Sequence, residues 1–243
     1  YYMFEKLEKF QLTILSIVLA GGLIFATSLA TGNLSKDVIT VTGSSYKTVT
    51  SDSGRLEFRI MTRKPTKAQA YETITKQIPQ VKQFIIAKGF NESEIEIKAP
   101  NGYYTYKTLP NGYNTSQIEY YNISQPMYVS SKDVQKIKEL STELQTLINK
   151  GIDIDAYNPE YFYSKLADDK VEMLGAATKD AKERAASMLK ATNNRVGKIQ
   201  SVKMGVFQIT PVDSTNVSDM GISDTSSIEK KITSVANVTF RIK

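Results

Sequence analysis

Two Ser-x-x-Lys motifs, at Ser44–Lys47 and Ser187–Lys190, are the patterns in this sequence that most suggest covalent catalysis. Histidine and cysteine are absent from the 243 residues, so a catalytic centre would have neither an imidazole base nor a thiolate nucleophile. A lysine close to a serine is one of the remaining ways to activate a hydroxyl. However, the companion Ser-Asp-Asn and Lys-Thr-Gly motifs are missing. We therefore expect no enzymatic activity and keep a Ser/Lys hydrolase as a remote alternative.

A group of oxygen-bearing side chains between residues 153 and 160 offers the best candidate metal ligands. They are Asp153, Asp155, Asn158 and Glu160. Calcium prefers six to eight oxygen ligands, often from a glycine-containing loop, and no such loop follows Asp155. We therefore expect a solvated strand face, with no metal and no cofactor. Asp168 and Asp169 are interpreted as negative charge in the first turn of a helix.

Tyrosine is concentrated in the middle of the chain, where ten of the fourteen tyrosines lie between residues 103 and 163. They are Tyr103, Tyr104, Tyr106, Tyr113, Tyr120, Tyr121, Tyr128, Tyr157, Tyr161 and Tyr163. Rigid amphipathic rings suit either cross-strand pairing or a surface that contacts protein or glycan. Four of them flank the turn signals Asn101-Gly102 and Asn111-Gly112, at an expected hairpin tip. Tyr103, Tyr104, Tyr106 and Tyr113 are therefore the candidate interface.

The net charge of +6 does not indicate a nucleic-acid partner. Basic residues alternate with acidic ones, as in Lys182-Glu183-Arg184, so no basic stripe is available for a phosphate backbone. Lysines also outnumber arginines by 25 to 6, although arginine is the usual residue for bidentate recognition of bases. We expect no binding to nucleic acid.

Residues 10–32 are predicted to form a transmembrane signal anchor. No charged residue occurs between Phe10 and Ser35, and the apolar stretch from Leu12 to Ala30 makes a helix about 28 Å long, close to the hydrocarbon thickness of a bilayer. Its apolar contacts with lipid are expected from Leu12, Ile14, Leu15, Ile17, Val18, Leu19, Leu23, Ile24 and Phe25. A cleaved signal peptide, ending at Ser28-Leu29-Ala30, is the alternative. Either way, the C-terminal part is predicted to lie outside the cytoplasm, in an envelope compartment where the lack of cysteine is favourable.

The exported part begins with alternating strands and a first helix. Leu56, Phe58 and Ile60 form the buried side of one strand, and Ile95 and Ile97 that of another. Between them, the sequence predicts a helix over 65–88, with a Thr66-x-x-Gln69 capping box, a kink at Pro79 and a stop at Gly89. Its apolar face consists of Ala70, Ile74, Ile78, Val81 and Ile85.

The rest of the sequence predicts two more helices and four more strands. A strand over 116–129 precedes a helix over 131–150, followed by a strand from Ile152 to Tyr163. The third helix, over 168–192, is predicted to bury Val171, Leu174, Ala181, Ala185 and Met188. Strands over 197–209 and 228–242 end the chain, and the polar stretch 210–227 is interpreted as a mobile loop or a partner-binding segment. The order ββαβββ-αβαββ, with mostly antiparallel strands, is typical of an α+β fold.

Several stretches together resemble the SIMPL-domain family of bacterial envelope proteins over residues 38–242. They are Ile39-Thr-Val-Thr-Gly43, Lys88-Gly-Phe-Asn-Glu-Ser-Glu-Ile-Glu-Ile97, and an alanine-rich late helix followed by Val196-Gly-Lys-Ile199. The chain departs from the family where Ser51-Asp-Ser-Gly54 replaces a common Pro-Asp, and where Glu119-Tyr-Tyr121 replaces a common Gly-Tyr. The resemblance implies an exported α+β domain without an established reaction, which in some members assembles into closed homo-oligomers.

We therefore predict a short flank (1–9), the anchor (10–32), a linker (33–37) and one SIMPL-like domain (38–243). The expected role is structural, through self-association in the cell envelope. The alternative is a binding module whose tyrosine-rich hairpin holds an envelope protein or glycan. Two surfaces suit self-association: the hairpin Tyr103–Tyr113 and the final strand Val235–Ile242. We favour the hairpin, because the final strand has the alternation of a strand already paired within its own sheet.

Overall fold

The computed structural model describes residues 37–243, which contain three α-helices and eleven β-strands. The chain divides into two compact units. The larger one comprises Ser44–Ala177 and Gly205–Val235, and the other comprises the residues up to Gly43 with Thr178–Met204 and Ala236–Lys243. The predicted anchor, residues 10–32, lies outside the described residues. Between residues 37 and 243, no helix is long and apolar enough to cross a membrane.

A six-stranded antiparallel sheet lies within the larger unit. Its strands are β2 (Ser53–Lys64), β3 (Ile95–Ile97), β4 (Asn101–Thr108), β5 (Asn114–Ser131), β6 (Asp153–Ala156) and β7 (Glu160–Phe162). The central strand β2 pairs with β5 along one edge and with β6 and β7 along the other. The far edge of β5 pairs with β3 and β4. The single strand predicted from Ile152 to Tyr163 is thus two short strands.

Two helices accompany this sheet, and their ends follow from identifiable capping groups. Helix α1 (Lys67–Ala87) begins where the Thr66 hydroxyl accepts a hydrogen bond from the Gln69 amide, and Gly89 follows its end at φ +88°. Helix α2 (Val134–Glu143) is capped by Asp133 and continues as a 3₁₀ helix over Leu144–Lys150. These two predicted helices are confirmed.

One hydrophobic core joins the inward face of β2 to both helices. Leu56, Phe58 and Ile60 are fully buried, as the alternation along β2 predicts. The helices add Ala70, Ile74, Val81 and Ile85 from α1, and Ile137, Leu140, Leu144 and Leu147 from α2 and its extension. With the inward face covered, the other face of β2 carries charged side chains.

The second sheet contains β1 (Val38–Thr50), β8 (Val196–Met204), β9 (Gln208–Pro211), β10 (Ile222–Ser223) and β11 (Glu229–Ile242). Strand β11 has β1 on one edge, and it pairs with β9 and then β8 along the other. The final strand is therefore paired on both sides, as its alternation predicts. Its buried face holds Ile232, Ala236, Val238 and Phe240, but also Lys230 and Ser234.

Helix α3 (Leu166–Lys190) has the predicted position but only part of the predicted buried face. Its buried residues are Asp169, Met173, Ala177, Ala181, Ala185 and Leu189. Val171 and Met188 are exposed by 72% and 58%, so their predicted burial is wrong. Its first turn is oriented by polar contacts, because the Asp169 carboxylate faces inward to meet Lys47 and Tyr163. A rule based on apolar spacing does not anticipate a buried carboxylate.

Residues 210–227, here called the return segment, are ordered by hydrogen bonds and contain strand β10. Strand β10 pairs in parallel with β9, and the Asp224 amide donates to the Ile209 carbonyl at 2.9 Å. The Gln208 side chain bonds both the carbonyl and the amide of Ser218, at 2.7 and 3.2 Å. The segment is thus attached to β9, and both its mobility and its binding of a partner stay predictions. The chain folds back along β9 because the segment's polar groups find backbone partners there.

Candidate functional site

The predicted interface residues lie on a hairpin formed by β4, the turn 109–113 and the first part of β5, here called the tyrosine hairpin. Its register pairs Tyr104 with Tyr121 and Tyr103 with Asn122. The turn is closed by hydrogen bonds from the Leu109 amide to the Tyr113 carbonyl at 2.8 Å and from the Gly112 amide to the Leu109 carbonyl at 2.9 Å. Gly112 has φ +84°, which glycine adopts without strain. The turn predicted at Asn111-Gly112 is confirmed.

The turn predicted at Asn101-Gly102 is wrong, because these residues begin β4 and pair with Ser124 and Ile123. Glycine is needed at position 102 because β4 and β5 lie too close together there for a side chain. A Cβ atom on Gly102 would lie 2.8 Å from the Asn122 carbonyl oxygen and 2.4 Å from Ile123 Cδ1. Tyr103, Tyr104 and Tyr106 consequently lie along the arm of the hairpin, and only Tyr113 adjoins the tip.

The tyrosines of the hairpin are displayed to solvent. Tyr103, Tyr104 and Tyr113 are exposed by 65%, 51% and 74%, and Tyr106 is half-buried. The Tyr104 ring makes edge contacts with Tyr106 at 5.2 Å and with Tyr121 at 6.5 Å between ring centroids. A hydrogen bond with Tyr104 raises the pKa of Tyr106. These three rings form a continuous aromatic surface on one side of the hairpin.

Strand β4 also offers a free edge, since its strand pairing in the described part of the chain is with β5 alone. An edge strand leaves backbone donors and acceptors available to another strand. By contrast, β11 is paired on both edges. Of the two surfaces considered for self-association, the hairpin is therefore the one with an open strand edge.

A polar chain fixes the base of the hairpin to the central sheet. Arg63 Nε donates to Asn122 Oδ1 at 3.1 Å, and Asn122 Nδ2 donates to Thr105 Oγ1 at 2.8 Å. The Arg63 guanidinium lies 5.5 Å from the centre of the Tyr120 ring. These contacts attach the aromatic surface to the central sheet.

Arg63 belongs to a row of arginines on β2 that sequence reasoning missed. Arg55 lies over Tyr128 and Phe162, at 5.6 and 5.9 Å, and Arg59 lies over Tyr157, at 4.9 Å. Such cation–π contacts contribute about 0.5–1 kcal/mol each where the groups are exposed. The four-residue spacing of these arginines was visible in the sequence, but the facing aromatic residues come from other strands. Several of the ten clustered tyrosines therefore have structural partners.

A second group missed in the sequence surrounds the start of α3. Lys47 Nζ donates to Asp169 Oδ1 at 2.7 Å, and the Tyr163 hydroxyl donates to Asp169 Oδ2 at 2.8 Å. The hydrogen bonds from Lys47 and then Tyr163 hold the pKa of Asp169 below its ordinary value, while the bond to Asp169 raises the pKa of both partners. Asp169 is therefore an internal anchor for the helix, and more than a charge near its N-terminus.

Asp52 fixes the same region from a neighbouring turn. Its carboxylate accepts hydrogen bonds from the Ser164 hydroxyl at 2.6 Å and from the Ser164 amide at 3.0 Å. The hydroxyl bond, followed by the amide bond, lowers the pKa of Asp52 against the opposing effect of burial. Each carboxylate of this cluster thus has hydrogen-bond donors within the chain.

The second Ser-x-x-Lys motif lies on the surface of α3, where Ser187 and Lys190 are both exposed. Lys47 is already bound to Asp169 and approaches Glu172 at 3.4 Å. Among residues 37–243, no group of three or more acidic side chains is arranged to hold a metal. Asp153 and Asp155 are exposed on β6, as predicted for a solvated strand face.

Comparison with known proteins gives one family. The SIMPL family model, described as a protein of unknown function (DUF541), matches residues 39–242. No curated protein matches the chain. The matched range covers nearly all the described residues, including the tyrosine hairpin and the return segment.

Proposed function

The chain belongs to the SIMPL family, and from this premise we propose that it is a membrane-anchored, exported protein that self-associates in the bacterial cell envelope through its tyrosine hairpin. The apolar stretch at residues 10–32 supplies the anchor in this proposal. The role is structural, and no enzymatic reaction is assigned, since histidine and cysteine are absent from the sequence.

The exposure of the hairpin's tyrosines is the observation that carries the proposal. Interfaces between proteins are enriched in tyrosine and depleted in lysine, and the arm Asn101–Thr108 has three tyrosines and one lysine. The free edge of β4 adds backbone groups that can pair with a second copy. Anchoring in one membrane raises the local concentration of neighbouring domains, so an interface of modest area is sufficient.

The first test measures the mass of the detergent-extracted chain over a range of concentrations. We expect a defined homo-oligomer that dissociates on dilution. A strictly monomeric species at every concentration would contradict the proposal. The same preparation, fractionated with the membrane before extraction, tests the anchor, because an unanchored chain would remain in the aqueous fraction.

The second test replaces two rings of the aromatic surface, with Tyr104→Ala and Tyr106→Ala combined. We expect the dissociation constant of the oligomer to rise by roughly tenfold or more, because tyrosines at the centre of an interface carry a large share of its binding energy. Tyr46→Ala is the matched control, since Tyr46 is 76% exposed and lies on β1. If the double variant keeps the circular dichroism of the parent and still forms the same oligomer, the interface lies on another surface.

A binding module for an envelope glycan is the second candidate, and the ring arrangement favours it specifically. Tyr104 makes edge contacts with Tyr106 and Tyr121, which gives an exposed aromatic surface on which sugar rings can stack. Here the monomer binds the ligand, and the double variant loses binding while its mass is unchanged. Tyrosine fluorescence during titration with soluble peptidoglycan fragments distinguishes the two candidates.

A further inference from the structure

The smaller of the two compact units carries the excess of positive charge. Its described residues, 37–43, 178–204 and 236–243, contain nine lysines and arginines against three acidic residues, which gives a net charge of +6. The larger unit contains nineteen basic and twenty acidic residues, so its net charge is −1. A charge concentrated in one unit favours a partner of opposite charge for that unit.

The unpaired part of this charge lies around the start of β8 and the end of β11. Two of the three acidic residues are paired within α3: Asp180 accepts a hydrogen bond from Arg184 Nε at 2.8 Å. Glu183 lies 3.9 Å from Lys179 Nζ. Five basic residues, here called the basic end, are exposed and form no ion pair within residues 37–243: Lys190, Arg195, Lys198, Arg241 and Lys243.

Backbone contacts bring the segments of the basic end together. Arg195 and Lys243 exchange both of their backbone hydrogen bonds, at 2.7 and 2.8 Å. An open groove of about 350 Å³ lies between the end of α3 and the start of β8. Its charged lining residues are Lys190 and Arg195, and Asn193 and Asn194 are its neutral polar ones. The groove therefore presents cations and amide donors, and no carboxylate belongs to its lining.

The basic end lies where the chain enters the smaller unit. The Ile242 amide donates to the Asp37 carbonyl at 2.8 Å, and Asp37 directly precedes β1. In the proposed anchoring, the membrane-spanning stretch ends at residue 32. Because an extended residue spans at most about 3.6 Å, residues 33–37 bridge about 18 Å or less. An anchored chain therefore holds the basic end within reach of the lipid headgroups.

We propose that the basic end binds the anionic headgroups of phospholipids in the membrane that holds the anchor, an inference that rests on the proposed anchoring. Clusters of lysine and arginine close to a bilayer are attracted by anionic lipids. Arg195 and Arg241 add the ability to contact one phosphate with two N–H groups at once. The anchor keeps the local concentration of headgroups high, so a weak contact is sufficient to hold the smaller unit against the membrane.

The test places a fluorophore next to the basic end of the full chain. Because the sequence has no cysteine, Ala191→Cys creates a single attachment point at an exposed position after α3. The labelled chain is reconstituted into vesicles of phosphatidylcholine, alone or mixed with phosphatidylglycerol, that contain lipids with a quenching nitroxide on the headgroup. We expect quenching to be at least about threefold stronger in the anionic vesicles at low salt. The difference should disappear at about 1 M salt, where charges are screened over about 3 Å.

Two paired substitutions locate the contact. Lys190→Gln combined with Arg195→Gln should remove at least about half of the additional quenching in anionic vesicles, because both cations of the groove are lost. Lys182→Gln combined with Lys203→Gln is the matched control, which removes the same charge from exposed positions of the same unit. It should keep the parent quenching, since Lys203 lies opposite Asn237, at the other end of β8. An equal loss in both variants would overturn the site.

Flotation of the vesicles distinguishes this inference from the anchoring on which it rests. An anchored chain floats with both kinds of vesicle at high salt. If it does so but is quenched equally in both at low salt, the anchor is correct and the lipid site is wrong. If it floats only with anionic vesicles at low salt, the anchor is wrong and the lipid site is correct. If it never floats, both are wrong.

An acidic glycan is the other polyanion that the basic end could hold, and the same labelled chain tests it. Soluble polygalacturonate is added to the chain in phosphatidylcholine vesicles, and the fluorescence is compared with that in the anionic vesicles. We expect the response to phosphatidylglycerol and none to the glycan. A response to polygalacturonate without a response to phosphatidylglycerol would overturn the proposal and assign the basic end to a glycan.

Discussion

The tyrosine hairpin and the return segment both connect or extend strands, yet they differ in where their interaction groups point. The hairpin displays tyrosine rings to solvent and leaves the outer edge of β4 unpaired by the described strands. In the return segment, Ser218 and Asp224 instead contact Gln208 of β9 and Lys230 of β11. Surface groups without internal partners are available to a second molecule, whereas the groups of the return segment stabilise the fold.

Removing the carboxylate of the return segment should have the largest effect on stability. Asp224→Ala leaves the Lys230 ammonium buried with one carbonyl partner, and breaking a buried pair in this way costs about 3 kcal/mol. Urea denaturation of the chain measures the loss. Asp219→Ala, at an exposed position in the same segment, is the control and should change the free energy of unfolding by less than about 0.5 kcal/mol. Equal effects of both variants would contradict an internal role for the segment.

The next largest effect is expected where the hairpin meets the sheet. In Gly102→Ala, the new Cβ atom would lie 2.8 Å from the Asn122 carbonyl oxygen, which cannot move without disturbing the pairing of β4 with β5. Such overpacking costs about 1–3 kcal/mol. Thermal unfolding measures the loss, and amide exchange in β4 locates it. A variant as stable as the parent would mean that the two strands are not held at this separation.

Local patterns predicted much of the larger unit. Thr66 and Gly89 bound α1, and the alternation of Leu56, Phe58 and Ile60 gave the buried face of β2, because these signals act between residues close in sequence. Asn101-Gly102 gave a wrong prediction because it, too, is a local signal. The pair is typical of a turn, but here glycine is required by contacts with Asn122 and Ile123, which are distant in sequence.

The sequence predicted some candidate sites better than others. The difference depends on how far apart in the sequence the residues of each site lie. The exposure of Tyr103 and Tyr104 accords with the sequence-based hypothesis of an interface, because tyrosine density is visible in one window. The cluster at α3 joins Lys47 to Asp169, more than a hundred residues away. Lys230 is a different case: it is a charged residue on the buried face of a strand whose other buried residues are mostly apolar, and its carbonyl acceptor belongs to the return segment.

Acidic pH should weaken the cluster at the start of α3. The pKa of Asp169 is lowered by Lys47 and Tyr163, so the unfolded state binds more protons than the folded state as pH falls. Its stabilising contribution is present above the ordinary value of 3.8 and is lost as pH falls through the lower folded value. Asp169→Asn should flatten this part of the profile of stability against pH. An unchanged profile in Asp169→Asn would contradict the role of Asp169 as an ionised anchor of the helix.

The smallest expected effect is an increase in the free energy of unfolding, and it serves as a control for Gly102→Ala in the hairpin. Gly175 lies exposed in the interior of α3, and a Cβ atom there would meet nothing within 4 Å. Gly175→Ala removes the entropic cost of a helical glycine and should stabilise the chain by about 0.5–1 kcal/mol in urea denaturation. The same substitution is thus expected to destabilise at Gly102, where a carbonyl oxygen blocks the methyl group, and to stabilise at Gly175. If both variants were destabilised alike, the loss at Gly102 would no longer report a close contact between β4 and β5.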